Sequence, residues 1–92
     1  MSTPQQRVRD ITRALLDQLA SGESLTVEAI ALRAELAEAT AEAGRLDEAY
    51  YQVEELLKDA QRHHEPDHEA VLRARAAVEA VRAIGLRAAE QG

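Results

Sequence analysis

His64-Glu65-Pro66-Asp67-His68 spells the pattern H-E-x-x-H, and His63 stands just before it. On an unbroken helix this spacing sets two imidazoles one turn apart to hold zinc, with the glutamate as general base. Pro66 sits at its centre. A helix running through that proline would cost about 3 kcal/mol, because the ring removes an N–H and clashes with the preceding turn. Glu65, as the residue before proline, is pushed toward extended backbone. No third histidine or carboxylate lies at a spacing typical of such sites, and no strand is expected to supply a substrate-binding edge. The stretch therefore reads as a turn between two helices. Asp67 is expected to cap the second helix, and His63 to lie near the C-terminus of the first, where a cation is favoured. No metal or other cofactor is expected, beyond adventitious Ni or Zn binding by His63, His64 and His68. Glu65-x-x-His68 is also half of a di-iron bundle signature. That signature needs two copies on continuous helices and two further glutamates, and only one broken copy is present.

Other catalytic constellations are missing. Ser2, Ser21 and Ser24 fall near expected helix ends, where capping accounts for them. The four glycines are isolated and build no phosphate cradle. A small helical enzyme with its site between helices of a dimer is the alternative function. It would need several cations converging in a pocket, and Arg7, Arg13 and Arg33 are the contributors available. Tyr50 and Tyr51 are neighbours, about 100° apart on a helix. Tyr50 is expected to pack, and Tyr51 to lie at the rim, where tyrosine can anchor a partner.

Four antiparallel helices position these residues, over about 4–20, 26–43, 46–63 and 67–90. Thr3, Pro4 and Gln6 form a capping-box start for the first, which carries Val8, Ile11, Leu15 and Leu19 on one stripe. Gly22 is its expected stop. The second helix starts near Ser24 or Thr26 and ends at Gly44. Val27, Ile30, Ala34, Ala37 and Ala41 form one of its stripes; Leu32, Leu36, Ala39 and Ala43 form another. Two apolar sides place it in the middle of the bundle. The third carries Leu46, Ala49, Val53, Leu56, Leu57 and Ala60, and the short Gly44 link makes it an antiparallel hairpin with the second. Val71, Ala74, Val78, Val81 and Ala88 line the fourth, with Leu72 and Ile84 alongside. Gly85 is expected to bend or end that helix.

Composition agrees with this all-α architecture. Nineteen of the 92 residues are alanine, aromatics make up 2%, and cysteine is absent. Disulfides and Cys-based zinc sites are excluded. The chain suits a single domain with helices in close approach. Net charge is −6, spread as +1 over residues 1–20, −7 over 21–60 and 0 over 61–92. An acidic middle disfavours nucleic acid, which needs a basic footprint. No apolar run is long enough for a signal peptide or a membrane span, so a cytoplasmic protein with no membrane partner is expected.

Leu36–Leu57, "LAEATAEAGRLDEAYYQVEELL", resembles a tetratricopeptide repeat. Leu36 and Ala37 match its large-small pair, Gly44 its turn glycine, Ala49 the small residue opening the second helix, and Val53 a bulky apolar position. Arg33 and Thr40 stand where the family often has Trp and Tyr, Leu56 where it has a small residue, and Gln61 where it has a closing Pro. Glu65–Arg75, "EPDHEAVLRAR", is similar to the inter-repeat loop of the kinesin-light-chain-like, actinobacterial type. The resemblance spans residues 31–75, and with the flanking helices amounts to about one and a half repeats. It implies a non-catalytic protein–protein interaction or scaffold module. The family's concave surface carries over to Ala31, Ala34, Glu38, Ala41 and Glu42, and from the fourth helix to Leu72, Arg75, Glu79 and Arg82. The partner-binding set expected is Ala34, Glu38, Ala41, Glu42, Tyr51 and Arg75, facing a protein or peptide. So short an array leaves apolar surface on its terminal helix, which implies a homo-oligomer, a homodimer in the simplest form.

Overall fold

The computed structural model describes residues 3–20 and 26–91, with side chains from 3–17 and 26–91. Helix α1 (Pro4–Ala20) begins as a reciprocal cap. Thr3 Oγ1 accepts the Gln6 N–H at 3.1 Å, and Gln6 Oε1 accepts the Thr3 N–H at 2.8 Å. Two of the four orphan donors at that end are thereby satisfied. Helix α2 (Val27–Glu42) is capped by Thr26, whose hydroxyl accepts the Ala29 N–H. The expectations on Leu19, Ser21, Gly22 and Ser24 fall outside the described side chains or residues.

Helix α2 ends where Gly44 takes a φ of +88°, a left-handed conformation glycine adopts without strain. The Gly44 N–H donates to the Ala41 carbonyl, and the Arg45 N–H donates to the Thr40 carbonyl. These paired bonds close a Schellman turn and reverse the chain directly into helix α3 (Leu46–His63). Asp47 and Glu48 in the first turn of α3, with Arg62 and His63 in its last, complement the helix dipole at both ends.

Helix α4 (Glu69–Gln91) returns along the hairpin. Helix α2 packs against α1, α3 and α4; α3 also packs against α4. Among the described residues α1 meets α2 alone. The two-sided character read for α2 is therefore its real environment. Ile30, Ala34, Ala37 and Ala41 join Ala49, Val53, Leu56 and Ala60 of α3 and Ala70, Val71, Ala74, Ala77 and Val81 of α4 in one core. Ala29 and Ala39, also buried, lie outside that core cluster. Thr40 is the one buried polar side chain in the described core, and its hydroxyl donates to the Leu36 carbonyl at 2.7 Å. With alanine at so many facing positions the backbones approach closely, and no large side chain is needed to fill the space between them.

Three expectations need correction. Gly85 neither bends nor ends α4, which continues to Gln91. A Cβ at position 85 would overlap the Tyr50 hydroxyl, so the missing side chain is what lets the Tyr50 ring lie across α4. Leu72 and Ala88 are exposed rather than part of the buried stripe. Leu72 points away from the Ala70–Ala74–Ala77–Val81 side, and the last turns of α4 run past the Gly44 turn that would have covered Ala88. The cap of α4 is His68, not Asp67, as its geometry shows below. The described residues form four helices and no strand, an all-α fold.

Candidate interaction site

The H-E-x-x-H stretch is split between two helices. His64 is the extended C-cap of α3, with φ −137° and ψ 155°, and its N–H donates to the Ala60 carbonyl. The His68 N–H donates to the Glu65 carbonyl, closing a turn around Pro66. His68 then starts α4: its Nδ1 accepts the Ala70 N–H at 3.0 Å, and its carbonyl accepts the Leu72 N–H. The two imidazoles stack with centroids 4.3 Å apart instead of projecting one turn apart from a common helix. The Nδ1 that caps α4 is committed to the backbone. Asp67 ranks far above histidine as a capping residue, so sequence preference pointed one position too early.

The polar side of α2 faces the α4 side of the molecule and gathers Glu28, Glu35, Glu38 and Glu42. Glu38 accepts two bonds from the Arg73 guanidinium, at 3.0 and 2.9 Å. That bidentate pair ties α2 to α4 with side chains only 19% and 32% exposed. The bond to Glu38 holds the Arg73 guanidinium even more firmly protonated than usual, against the burial that opposes it. Glu42 accepts from Arg7 of α1 at 2.8 Å. Ala34 and Ala41 are inside the core and present no surface. Arg75 is exposed, and Tyr51 is 65% exposed on α3, on a different side from α2's acids. The six residues expected to share a partner thus divide into two core alanines, two glutamates held by arginines, and two exposed side chains on separate helices. Arg33 donates to Asp59 of α3 at 3.0 Å, while Arg13 is exposed. With Arg7 on Glu42, the three arginines are spent in three different places.

Two surfaces stand out that the stripe analysis missed. The outward side of α4 carries Leu72, Ala76, Glu79, Ala83 and Leu86, all exposed, at alternating spacings of four and three. Leu72 and Leu86 are 55% and 67% exposed. The second is a cleft between α1 and α3, floored by α2. Leu15, Arg33, Leu36, Tyr51, Gln52 and Glu55 line it, around a volume of about 150 Å³. Gln52 Oε1 is buried there with no hydrogen-bond partner. The sequence held a signal for this site: Gln52 lies three residues after Ala49 and four before Leu56, a polar residue on the edge of an apolar stripe.

No helix among the described residues is long and apolar enough to cross a membrane, and no group of three or more metal-ligating side chains is gathered among them. Comparison with models of protein families, with curated proteins and with solved structures gives no match.

Proposed function

We propose that this chain is a non-catalytic, cytoplasmic protein–protein interaction module, similar to a short tetratricopeptide array, that self-associates through the outward side of α4. The observation that carries the reading is the unpartnered Leu72–Ala76–Glu79–Ala83–Leu86 stripe. Its spacing is that of a seam for another helix. The order of helix contacts supports the resemblance: each helix packs on the next, and α2 also packs on α4, as successive first helices do in a repeat stack. In such a stack the outward side of α4 is where the next helix would lie. Arg75 and Arg82 flank Glu79 there, so a second copy brings both signs of charge to the seam. Tyr51 and Arg75 remain the exposed residues of the expected partner-binding set, and Glu38 and Glu42 act first as ties between helices.

Light scattering on the eluting protein tests the reading. A mass of twice the 10.1 kDa chain is expected at high concentration, with Leu72→Glu or Leu86→Glu returning it to the monomer without unfolding it. A strict monomer at every concentration removes self-association. Turnover, or stoichiometric metal held through chelation, overturns the non-catalytic reading.

A further inference from the structure

We infer that the cleft between α1 and α3 is a socket for a single lysine side chain of a partner protein. Its volume of about 150 Å³ matches a cavity that admits one benzene ring and falls well below ordinary small-molecule sites. The occupant is therefore one side chain rather than a metabolite. Leu15, Leu36 and the Tyr51 ring give the cleft apolar walls. Its polar groups open to an occupant are acceptors: Gln52 Oε1, buried and unpartnered, and the half-buried Glu55 carboxylate one turn further along α3. Arg33, the only cation in the lining, already donates to Asp59.

Each class of occupant can be judged against this lining. An apolar side chain would leave Gln52 Oε1 without a donor, at the full cost of an unsatisfied buried group. An acidic one would face Glu55. Arginine's planar fork seeks two oxygens side by side, and a lone amide oxygen with a carboxylate one turn away does not present them. Lysine brings a stem of four methylenes for the walls and a compact ammonium with three donors for the oxygens. The Tyr51 face adds a cation–π surface at the mouth. The −7 charge of residues 21–60 attracts such a partner. This inference rests on the chain being an interaction module but not on self-association, and a strict monomer leaves it standing.

Two-dimensional NMR of the full chain, titrated with acetyl-Ala-Lys-Ala-amide and with its norleucine counterpart, tests it. Saturable shifts at Leu36, Tyr51, Gln52 and Glu55 are expected from the lysine peptide alone. Gln52→Leu is expected to weaken that binding by about tenfold or more while raising the Tm of the free protein, because it removes the orphaned oxygen. Glu55→Gln is expected to weaken binding and flatten its salt dependence. The socket is overturned by equal shifts from the norleucine peptide, by no saturable shift with lysine, or by a Gln52→Leu variant that melts earlier and binds unchanged.

Discussion

Helices α2, α3 and α4 enclose a core whose members are nearly all inaccessible to water, whereas α1 leans on a single helix and buries only Ile11 among its described side chains. Leu16 of α1 is 60% exposed, and Val8 and Leu15 are half-buried. The difference comes from neighbours. Each core helix has two partners, so a residue between them is covered from both sides. A residue of α1 is covered from one side only, and the space where α3 fails to reach α1 becomes the Tyr51–Gln52 cleft. The stable part of the molecule is thus its repeat-like hairpin plus α4, and the adaptable surface lies where the first helix is added.

Truncation of one leucine in each region tests that contrast most severely. Leu56 is fully buried within the three-helix core, and Leu56→Ala is expected to cost about 3 kcal/mol, from lost transfer energy and the cavity left behind. Leu15 borders an open cleft, where water replaces the lost methyls and no sealed cavity forms. Leu15→Ala is expected to cost about 1 kcal/mol. Urea unfolding of both variants measures this directly. Equal losses would show that α1 is as integral as the hairpin.

Ion pairs offer a second version of the comparison. Glu38→Gln and Glu42→Gln each remove one negative charge from the same helix, so the relief of overall self-repulsion is similar. Glu38 loses a bidentate, partly buried bond to Arg73 of α4, and about 1.5 kcal/mol should go with it. Glu42 loses a monodentate pair with Arg7 of α1 whose side chains are 39% and 40% exposed, for which at most about 0.5 kcal/mol is expected. High salt should erase the second effect and leave most of the first. A larger loss at Glu42 would invert the ranking of the two contacts.

Much of this arrangement was legible in the chain. Thr3, Pro4 and Gln6 announced the start of α1, two apolar stripes announced the central place of α2, and Pro66 announced the break that turns a metal-like motif into a loop. These are local signals, set by backbone geometry and helical periodicity, and they survive folding unchanged. The cap at His68 was hidden because an imidazole rarely outranks a neighbouring aspartate until its ring is placed, here by stacking on His64. Ala34 and Ala41 were assigned to a partner surface by family position, but the close approach of α2, α3 and α4 buries them within this chain. The candidate surfaces were the least legible part. Whether Leu72 or Gln52 meets water depends on which helix fails to cover it, and that is decided by long-range packing.

Gly85 turns the same lesson into the smallest and most specific test. Taken alone, a glycine inside α4 costs about 1 kcal/mol relative to alanine, so replacing it should stabilise the helix. The Tyr50 hydroxyl occupies the space the new methyl needs, and the ring must leave its place across α4. Tyr50 is 38% exposed, so the ring can swing outward at the loss of its packing, a cost of similar size. Gly85→Ala alone is therefore expected to be nearly neutral. In a Tyr50→Ala background the obstruction is gone, and the same change should stabilise by about 1 kcal/mol. A double-mutant cycle read by thermal unfolding isolates this coupling. Additive effects would mean that the ring does not rest on Gly85, and that the glycine loosens the end of α4 instead of receiving α3.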